Sequence, residues 1–306
     1  MNRIHSKNSH KALFLLSLMM TTGQVFANYA YVTDSGSNDV VIIDTSTNFL
    51  VGVPVSVGTA PNAVAVTPNG QYAYVVNTGD DTVSIIDTSN NQLYGVPITV
   101  GSNPYALAIT PDGSYVYVVN GGDDTVSIID TSNNQLYGVP ITVGTSPSGI
   151  AITPDGSYVY VTNNGSDDVS IIDTSNNQLY GVPISVGTNP LALAITPDGS
   201  YVYVANNGSN DVSIIDTSNN QLYGVPISVG TNPFGIAITP DGSYVYVTND
   251  YDGTVSVIDT SNNQLTGVPV TVDSNPHGIA INPVSSDSPW FSFLFQLYGK
   301  LVPIFN

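Results

Sequence analysis

The chain has 306 residues, with 23 acidic side chains against 4 lysines and arginines, and it contains no cysteine. All the acids are aspartates, and with 28 glycines and 20 prolines the composition favours strands joined by tight turns. It excludes disulfide-stapled folds and zinc–thiolate sites. The shortage of lysine and arginine argues against nucleic acid or an anionic membrane surface as a direct ligand.

The first residues have the order of a secretory signal peptide. Arg3, Lys7 and Lys11 precede an apolar run from 12 to 20, and Ala27 ends a short apolar step. A buried helix or a membrane anchor is the alternative, but the run is far shorter than the about 20 residues that span a bilayer. We therefore predict that residues 1–27 are removed and that the mature protein is secreted, periplasmic or at the cell surface. Three of the four basic residues leave with this segment, so the mature chain carries a formal charge of −22.

Everything after residue 28 is built from a 43-residue repeat. The aspartate that ends Ile-Ile-Asp or Val-Ile-Asp recurs at that spacing, at Asp44, Asp87, Asp130, Asp173, Asp216 and Asp259. Such regularity predicts one domain of six repeats over residues 28–285.

One repeat predicts four antiparallel strands. In one copy these are Gly149 to Thr153, Tyr158 to Val161, Val169 to Asp173 and Leu179 to Val186. Pro183 interrupts the fourth, which suits an edge strand because proline has no N–H to donate. Four strands in about 40–45 residues have the size of one propeller blade.

The two ends of the repeat region complement each other. The mature chain starts on a second strand, Tyr29 to Val32, and the last copy stops on a first strand, Gly278 to Asn282. If these two strands pair, they complete a blade and leave no open sheet edge. The predicted fold is therefore an all-β, six-bladed β-propeller of four-stranded antiparallel blades, closed by pairing of the N- and C-terminal strands. An open solenoid is the alternative.

Two tetrapeptides carry a family resemblance. Tyr160 to Asn163 and Tyr246 to Asn249 both read Tyr-Val-Thr-Asn, and the strings Thr-Pro-Asp-Gly and Asn-Pro-x-Gly-Ile-Ala accompany them. Over about residues 29–283 the chain resembles the YVTN-repeat β-propellers. The resemblance implies an exported propeller, often a surface or periplasmic binding or scaffold protein. Members commonly have seven blades, so the predicted six is a departure.

The chain has few side chains that could act in catalysis. His277 is the only histidine after residue 27, and the chain has neither glutamate nor cysteine. The lyases and lactonases that a propeller fold suggests use histidine and glutamate groups. We therefore predict no catalytic residues and expect an exported binding or surface scaffold protein, a monomer that uses one propeller face for a protein or glycan partner. The alternative is an exported lyase or hydrolase with its site at the channel mouth.

One face of the predicted disc varies between the copies. The residue after each connection proline differs in all six copies, and the second turns vary too, whereas the Ser-Asn-Asn-Gln turns of the other face hardly change. This contrast predicts a partner-binding mouth, although drift in exposed loops would give the same pattern. The candidate binding residues are Asn62, Tyr105, Ser148, Leu191, Phe234 and His277.

The same face carries pairs of adjacent aspartates. Their hard oxygen ligands suit Ca²⁺, which is the one cofactor that the sequence suggests. The candidate metal residues are Asp80, Asp81, Asp123, Asp124, Asp167 and Asp168. The competing interpretation, which we favour, is that aspartate, asparagine and glycine are turn formers here.

Residues 286–306 depart from the repeat and are strongly apolar. They are too short and too interrupted by Gly299, Lys300 and Pro303 to predict a membrane span. A docked helix, an interfacial anchor that contacts a membrane or partner, and the remnant of a truncated gene all stay open.

Overall fold

The protein is described by a computed structural model over residues 29–281, together with the backbone of two tail strands, Phe293–Leu297 and Lys300–Pro303. Every regular element in this part of the chain is a β-strand, so the all-β prediction is confirmed. Within these ranges no helix reaches the length and apolarity needed to cross a bilayer. The predicted signal peptide, residues 1–27, lies outside the described residues.

The described strands form seven antiparallel sheets in chain order. Sheet 1 contains β1 (Tyr29–Asp34), β2 (Asp39–Asp44), β3 (Phe49–Leu50) and β4 (Val55–Ser56). Sheet 2 contains β5 (Pro61–Val66), β6 (Tyr72–Asn77), β7 (Thr82–Asp87), β8 (Gln92–Leu93) and β9 (Ile98–Thr99). Sheet 3 contains β10 (Pro104–Ile109), β11 (Tyr115–Asn120), β12 (Thr125–Asp130), β13 (Gln135–Leu136) and β14 (Ile141–Thr142).

The later sheets repeat this order. Sheet 4 contains β15 (Pro147–Ile152), β16 (Tyr158–Asn163), β17 (Asp168–Asp173), β18 (Gln178–Leu179) and β19 (Ile184–Ser185). Sheet 5 contains β20 (Pro190–Ile195), β21 (Tyr201–Asn206), β22 (Asp211–Asp216), β23 (Gln221–Leu222) and β24 (Ile227–Ser228). Sheet 6 contains β25 (Pro233–Ile238), β26 (Tyr244–Asn249), β27 (Thr254–Asp259), β28 (Gln264–Leu265) and β29 (Val270–Thr271). Sheet 7 contains β30 (Pro276–Ile281), β31 (Phe293–Leu297) and β32 (Lys300–Pro303).

The fourth strand of each repeat differs from its prediction. In sheet 4 the expected strand from Leu179 to Val186 consists of β18 and β19, both paired with β17 and separated by a short excursion. Pro183 offers no N–H in that excursion, and Gly181 has a φ of +70°, which a strand does not use. These two residues together take the chain out of the ladder.

The sheets pack as propeller blades. The inner strands β5, β10, β15, β20, β25 and β30 contact one another in sequence. Apolar cores lie between neighbouring sheets rather than within one sheet: Tyr117 and Val119 of sheet 3 share a buried cluster with Val159 and Val161 of sheet 4. Each sheet therefore depends on its neighbours for burial, as in other repeat architectures.

A hydrogen bond also links each of sheets 1 to 5 to the next sheet, at the third turn of that sheet. The hydroxyl of Tyr117 donates to Asn177 Oδ1 at 2.5 Å, and Tyr74 donates to Asn134 at 2.6 Å. The same bond joins Tyr31 to Asn91, Tyr160 to Asn220 and Tyr203 to Asn263. The asparagine is the second one of Ser-Asn-Asn-Gln, with φ near +56° in the copy at Asn134. This bond and this backbone geometry constrain the turn that varies least between copies.

The threonine of Tyr-Val-Thr-Asn has a related role. Thr162 Oγ1 accepts a hydrogen bond from the backbone N–H of Gly149 at 2.7 Å and donates to the carbonyl of Leu191 in the next sheet at 3.1 Å. A Cβ at Gly149 would lie only 2.5 Å from that carbonyl oxygen. Copies with alanine in place of this glycine have no threonine opposite it, as in the pair Ala106 and Val119. The tetrapeptide therefore marks contacts between blades.

The predicted closure by the two terminal strands is not present among the described strands. β30 pairs with β31 of the tail, and the hydrogen-bonded partner of β1 is β2. β31 takes the register of a second strand, since Pro276 lies opposite Leu297 as Pro104 lies opposite Asn120, with the same bulge after the proline. The apolar tail thus occupies the edge that we assigned to β1, and the prediction of six closed blades is not confirmed. The tail, which the sequence left open between several forms, is a hairpin in its described part.

Candidate functional site

The six predicted binding residues stand at one end of adjacent inner strands. Each directly follows the proline that begins its strand, so Asn62, Tyr105, Ser148, Leu191, Phe234 and His277 are the second residues of β5, β10, β15, β20, β25 and β30. The second turns lie at the same end, because Gly121 N donates to the carbonyl of Asn103 in the connection. We call this end the mouth face. The first and third turns form the opposite face, where Thr131 N donates to the Ser114 carbonyl.

Several of these residues contact one another across the sheets. Asn62 Nδ2 donates to the carbonyl of Tyr105 at 2.7 Å, and Ser148 Oγ donates to the carbonyl of Leu191 at 3.1 Å. Ser148 is buried, and its hydroxyl is used within the fold. The structure therefore brings the predicted set together, but Ser148 connects two sheets rather than facing a partner.

The best-defined cluster of the mouth face contains Phe234, His277 and Asp250. The rings of Phe234 and His277 are stacked, with centroids 4.2 Å apart and planes 7° from parallel. His277 Nε2 lies 3.0 Å from Asp250 Oδ1, and the two side chains are 27% and 21% exposed. A carboxylate and an aromatic face thus hold one imidazole at the solvent boundary.

The sequence located the members of this cluster without pairing them. Asp250 belongs to the varied second turns, and His277 follows the next connection proline. In an earlier copy Thr78, the equivalent of Asp250, donates from Oγ1 to the carbonyl of Pro104 at 2.7 Å, one residue before the equivalent of His277. The constant spacing between a second turn and the following connection was therefore the sequence feature that could have predicted the proximity of Asp250 and His277.

The other exposed members are apolar or amide side chains. Tyr105 is 37% exposed, Asn62 is exposed, and Leu191 and Phe234 are partly buried. Together with the Phe234, His277 and Asp250 cluster they form a mixed surface of aromatic, aliphatic and polar groups. Aromatic residues of this kind commonly anchor partners.

Five of the six predicted calcium residues lie in the second turns and accept hydrogen bonds from the backbone, and Asp168 begins β17. Asp80 Oδ2 accepts a hydrogen bond from Thr59 N at 2.6 Å, and Asp81 Oδ1 accepts one from Asn103 N at 2.8 Å. Asp123, Asp124 and Asp167 accept in the same way from the backbone N–H groups of Ser102, Ser146 and Asn189. Asp168 accepts instead from the side chain of Asn163. The backbone hydrogen bond from Thr59 lowers the pKa of Asp80 below its usual value.

Other residue types take the same positions in other copies. Ser166 Oγ accepts from Thr145 N where Asp123 accepts from Ser102, and Asn210 Oδ1 accepts from Asn232 N where Asp124 accepts from Ser146. The position thus requires a side-chain oxygen, not a charge. Within the described ranges, no three His, Cys, Asp or Glu side chains cluster closely enough to hold one metal ion. Calcium binding stays a prediction.

A sequence comparison finds one protein family. The profile described as "Lactonase, 7-bladed beta-propeller" matches three segments of the chain, residues 27–136, 135–223 and 189–278. No curated protein matches the sequence. The comparison supports the β-propeller family, and it is not specific for the YVTN repeat.

Solved structures share the fold at low identity. Hydrazine synthase of Kuenenia stuttgartiensis superposes with a TM-score of 0.78 at 24% identity, over 90% of this chain and 92% of that one. A functionally unknown protein from Desulfotomaculum acetoxidans DSM 771 gives 0.70 at 22%, over 79% and 78%. The dihydro-heme d1 dehydrogenase NirN gives 0.72 at 17%, over 91% of this chain and 61% of that one. At these identities the likeness concerns the fold alone.

Proposed function

The chain belongs to the seven-bladed β-propeller lactonase family, and on that premise we propose that it is an exported, non-catalytic binding protein that holds a partner protein at its mouth face. The family supplies the scaffold but does not fix the chemistry, because one fold supports many functions. General acid–base chemistry in the chain after residue 27 would depend on aspartates, His277 and Lys300, since no glutamate is present. Binding a partner requires fewer reactive side chains than catalysis does, so this set of residues is better suited to binding.

The observation that carries the proposal is the set of side chains side by side at the mouth. Tyr105, Leu191 and Phe234 supply aromatic and aliphatic surface, and His277 stacks on Phe234 at 4.2 Å. Protein interfaces concentrate their binding energy in such aromatic anchors surrounded by polar groups. The proposal that the protein is exported rests on the basic and apolar segment at residues 1–27, which has the order of a signal peptide.

A photocrosslinking experiment tests this function. A benzophenone side chain placed at Tyr105 should capture a partner from the surroundings of the producing cell, because Tyr105 lies at the proposed contact. The matched control places the same group at Gln71, an exposed residue in a first turn of the opposite face. Equal capture at both positions, or none at Tyr105, would overturn the proposal.

A second candidate is a lactone hydrolase at the same face. It is favoured by the family description and by the 3.0 Å contact between His277 Nε2 and Asp250 Oδ1. In such a reaction Asp250 would orient the imidazole, and His277 would take a proton from the water that attacks the lactone carbonyl. The ring C–O bond then breaks, and His277 returns the proton to the leaving alkoxide, which gives the hydroxy acid. Hydrolysis of simple γ- and δ-lactones that disappears in both His277→Ala and Asp250→Asn would establish it. Hydrolysis that persists in both variants would exclude this site.

The number of blades depends on which strand occupies the free edge of β30. We propose that β31 does so and that sheet 7 acts as the last unit of a seven-unit ring, in keeping with the family. A ring of six would require β1 at that edge instead. Deletion of the tail distinguishes the two arrangements, as described in the Discussion.

A further inference from the structure

The rim of the propeller carries a repeated apolar segment that the proposed function does not use. The excursion in each fourth strand reads Tyr-Gly-Val-Pro in four copies. The valines of these copies, Val96, Val139, Val182 and Val225, are 81–83% exposed. Isolated exposed apolar residues are ordinary in proteins, but the same exposed group repeated at every blade is a surface with a regular pattern.

Each excursion forms one wall of a groove against the next sheet. Between sheets 3 and 4 the groove has a volume of about 590 Å³. Tyr137, Val139 and Pro140 line one wall, and Asn176, Gln178 and Leu179 line the other. The Tyr137 ring is fixed against Tyr115, with centroids 5.2 Å apart, and still leaves 45% of the side chain exposed.

The residues that line this groove recur at four junctions between sheets. The same six residue types occur where sheet 2 meets sheet 3, where sheet 3 meets sheet 4, where sheet 4 meets sheet 5 and where sheet 5 meets sheet 6. At the junction of sheets 1 and 2, Val51 takes the place of the tyrosine. The chain therefore offers four equivalent sites and one natural variant without the aromatic ring.

The chemistry of the groove restricts its occupant. None of its lining residues carries a charge at neutral pH, so the groove offers no counterion to a phosphate or sulfate, and the neighbouring Asp173 carboxylate accepts hydrogen bonds within its own turn. It combines an exposed aromatic ring and aliphatic groups with the exposed side-chain amide of Gln178, which both donates and accepts hydrogen bonds. A ligand that fits has apolar faces, many hydroxyl groups and no charge.

Two other occupants fit less well. A second copy of this chain would bring together two molecules with a formal charge of −22 each once residues 1–27 are removed, and like charges oppose association. An added β-strand would meet an outer edge interrupted by Pro140, which has no N–H, so the edge is protected against pairing.

We propose that the rim grooves are four equivalent binding sites for neutral oligosaccharides. The exposed tyrosine packs against the apolar face of a sugar ring, and the glutamine amide bonds its hydroxyls. Four sites on one rigid ring let a single long polysaccharide engage several grooves, which raises avidity over one site by about 10²–10⁴. The sites are remote from the mouth residues, so the inference does not depend on the mouth binding a protein.

Affinity electrophoresis and calorimetry on the full chain test the proposal. The probes are the neutral polysaccharides mannan, dextran and hydroxyethyl cellulose, with oligosaccharides of the retained polymer used for calorimetry. We expect retention by at least one polymer and a stoichiometry of four short oligosaccharides per chain. The single variant Tyr137→Ala should lower this to three. Replacing all four exposed valines by serine should lower polymer retention about tenfold or more.

The controls separate this inference from the function of the mouth. Val53→Ser, in the groove without tyrosine, should retain polymer as the native chain does, and so should Tyr105→Ala at the mouth. Unchanged melting temperatures would show that the valine variants fold, because these side chains are more than 80% exposed. The proposal is overturned if no neutral polymer is retained or if the quadruple variant binds as well as the native chain. Capture of a polyproline peptide or concentration-dependent dimerisation at these grooves, in place of sugar binding, would overturn it too.

Discussion

The two faces of the propeller hold their polar groups in different ways. On the opposite face the Ser-Asn-Asn-Gln turn is repeated, and its groups bond within the fold: Asn177 accepts from Tyr117, and Asn176 Oδ1 accepts from the N–H of Gln178. On the mouth face the residue that follows the connection proline is different in each of the six copies. The Ser-Asn-Asn-Gln turns therefore stay constant between copies because their hydrogen bonds hold neighbouring blades together. Sequence variation at the mouth residues does not by itself identify a function. The Phe234, His277 and Asp250 cluster is the stronger evidence because it rests on contacts.

The substitution Gly149→Ala disrupts the junction of two sheets at the mouth face and has the largest expected effect on stability. In Gly149→Ala the new methyl group lies 2.5 Å from the carbonyl oxygen of Leu191, so the strands of two sheets must separate. We expect a loss of about 2–4 kcal/mol in the free energy of unfolding, measured by denaturant titration. Ala192→Gly, at the equivalent position of sheet 5, is the control and should cost about 1 kcal/mol or less. A neutral Gly149→Ala would contradict the close approach of these strands.

Removal of residues 286–306 tests the end of the ring. If β31 covers the edge of β30, its loss exposes backbone groups and apolar surface of sheet 7. We expect a fall of several degrees in the melting temperature, equivalent to about 1–2 kcal/mol. An unchanged or higher melting temperature would instead favour the six-bladed ring, in which β1 takes that edge.

At high pH, we expect the contacts between blades at the opposite face, which involve buried tyrosine hydroxyls, to be lost first. Burial raises the pKa of Tyr74, Tyr117 and Tyr203 to about 12, from the ordinary tyrosine value of 10.0. A raised pKa in the folded state means that the protonated hydroxyl stabilises the fold. This contribution is complete below pH 10, the unfolded value, and is lost as the pH rises to about 12.

Alkaline unfolding curves measure this effect. Tyr117→Phe lacks the ionisable group, so its stability should fall less between pH 10 and 12 than that of the native chain. At pH 7 the same variant should lose about 1 kcal/mol with its hydrogen bond to Asn177. Tyr137→Phe is the control, because its hydroxyl has no such bond to the next blade. Identical alkaline profiles for the native chain and Tyr117→Phe would contradict the role of this tyrosine.

The smallest expected effect concerns calcium. The carboxylates of Asp80 and Asp81 accept backbone hydrogen bonds at 2.6 and 2.8 Å, and serine or asparagine serves in other copies. We therefore expect the melting temperature to be the same in calcium and in chelator. A rise of several degrees with calcium would show that the second turns bind metal after all.

Much of the fold could be predicted from the sequence. The 43-residue repeat predicts the order of the strands, and the alternation in Tyr158 to Val161 places tyrosines on one side of the sheet and valines on the other. The split of the fourth strand was missed, although Pro183 and Gly181 signalled it. The partner of β30 could not be predicted, since Phe293–Leu297 lacks the repeat's residues and matches a second strand only in register. The mouth positions were predicted, but not the burial of Ser148, which depends on the carbonyl of Leu191 in the next sheet.

The most direct test of the mouth's function is a quantitative capture experiment. The immobilised native chain and the double variant Tyr105→Ala/Phe234→Ala are exposed to the proteins that surround the producing cell, and bound partners are quantified by mass spectrometry. A Gln71→Ala variant, in a first turn of the opposite face, provides the control. The account predicts that the mouth variant loses a partner retained by the native chain and by the control, with an unchanged melting temperature. Equal capture by all three proteins would contradict it.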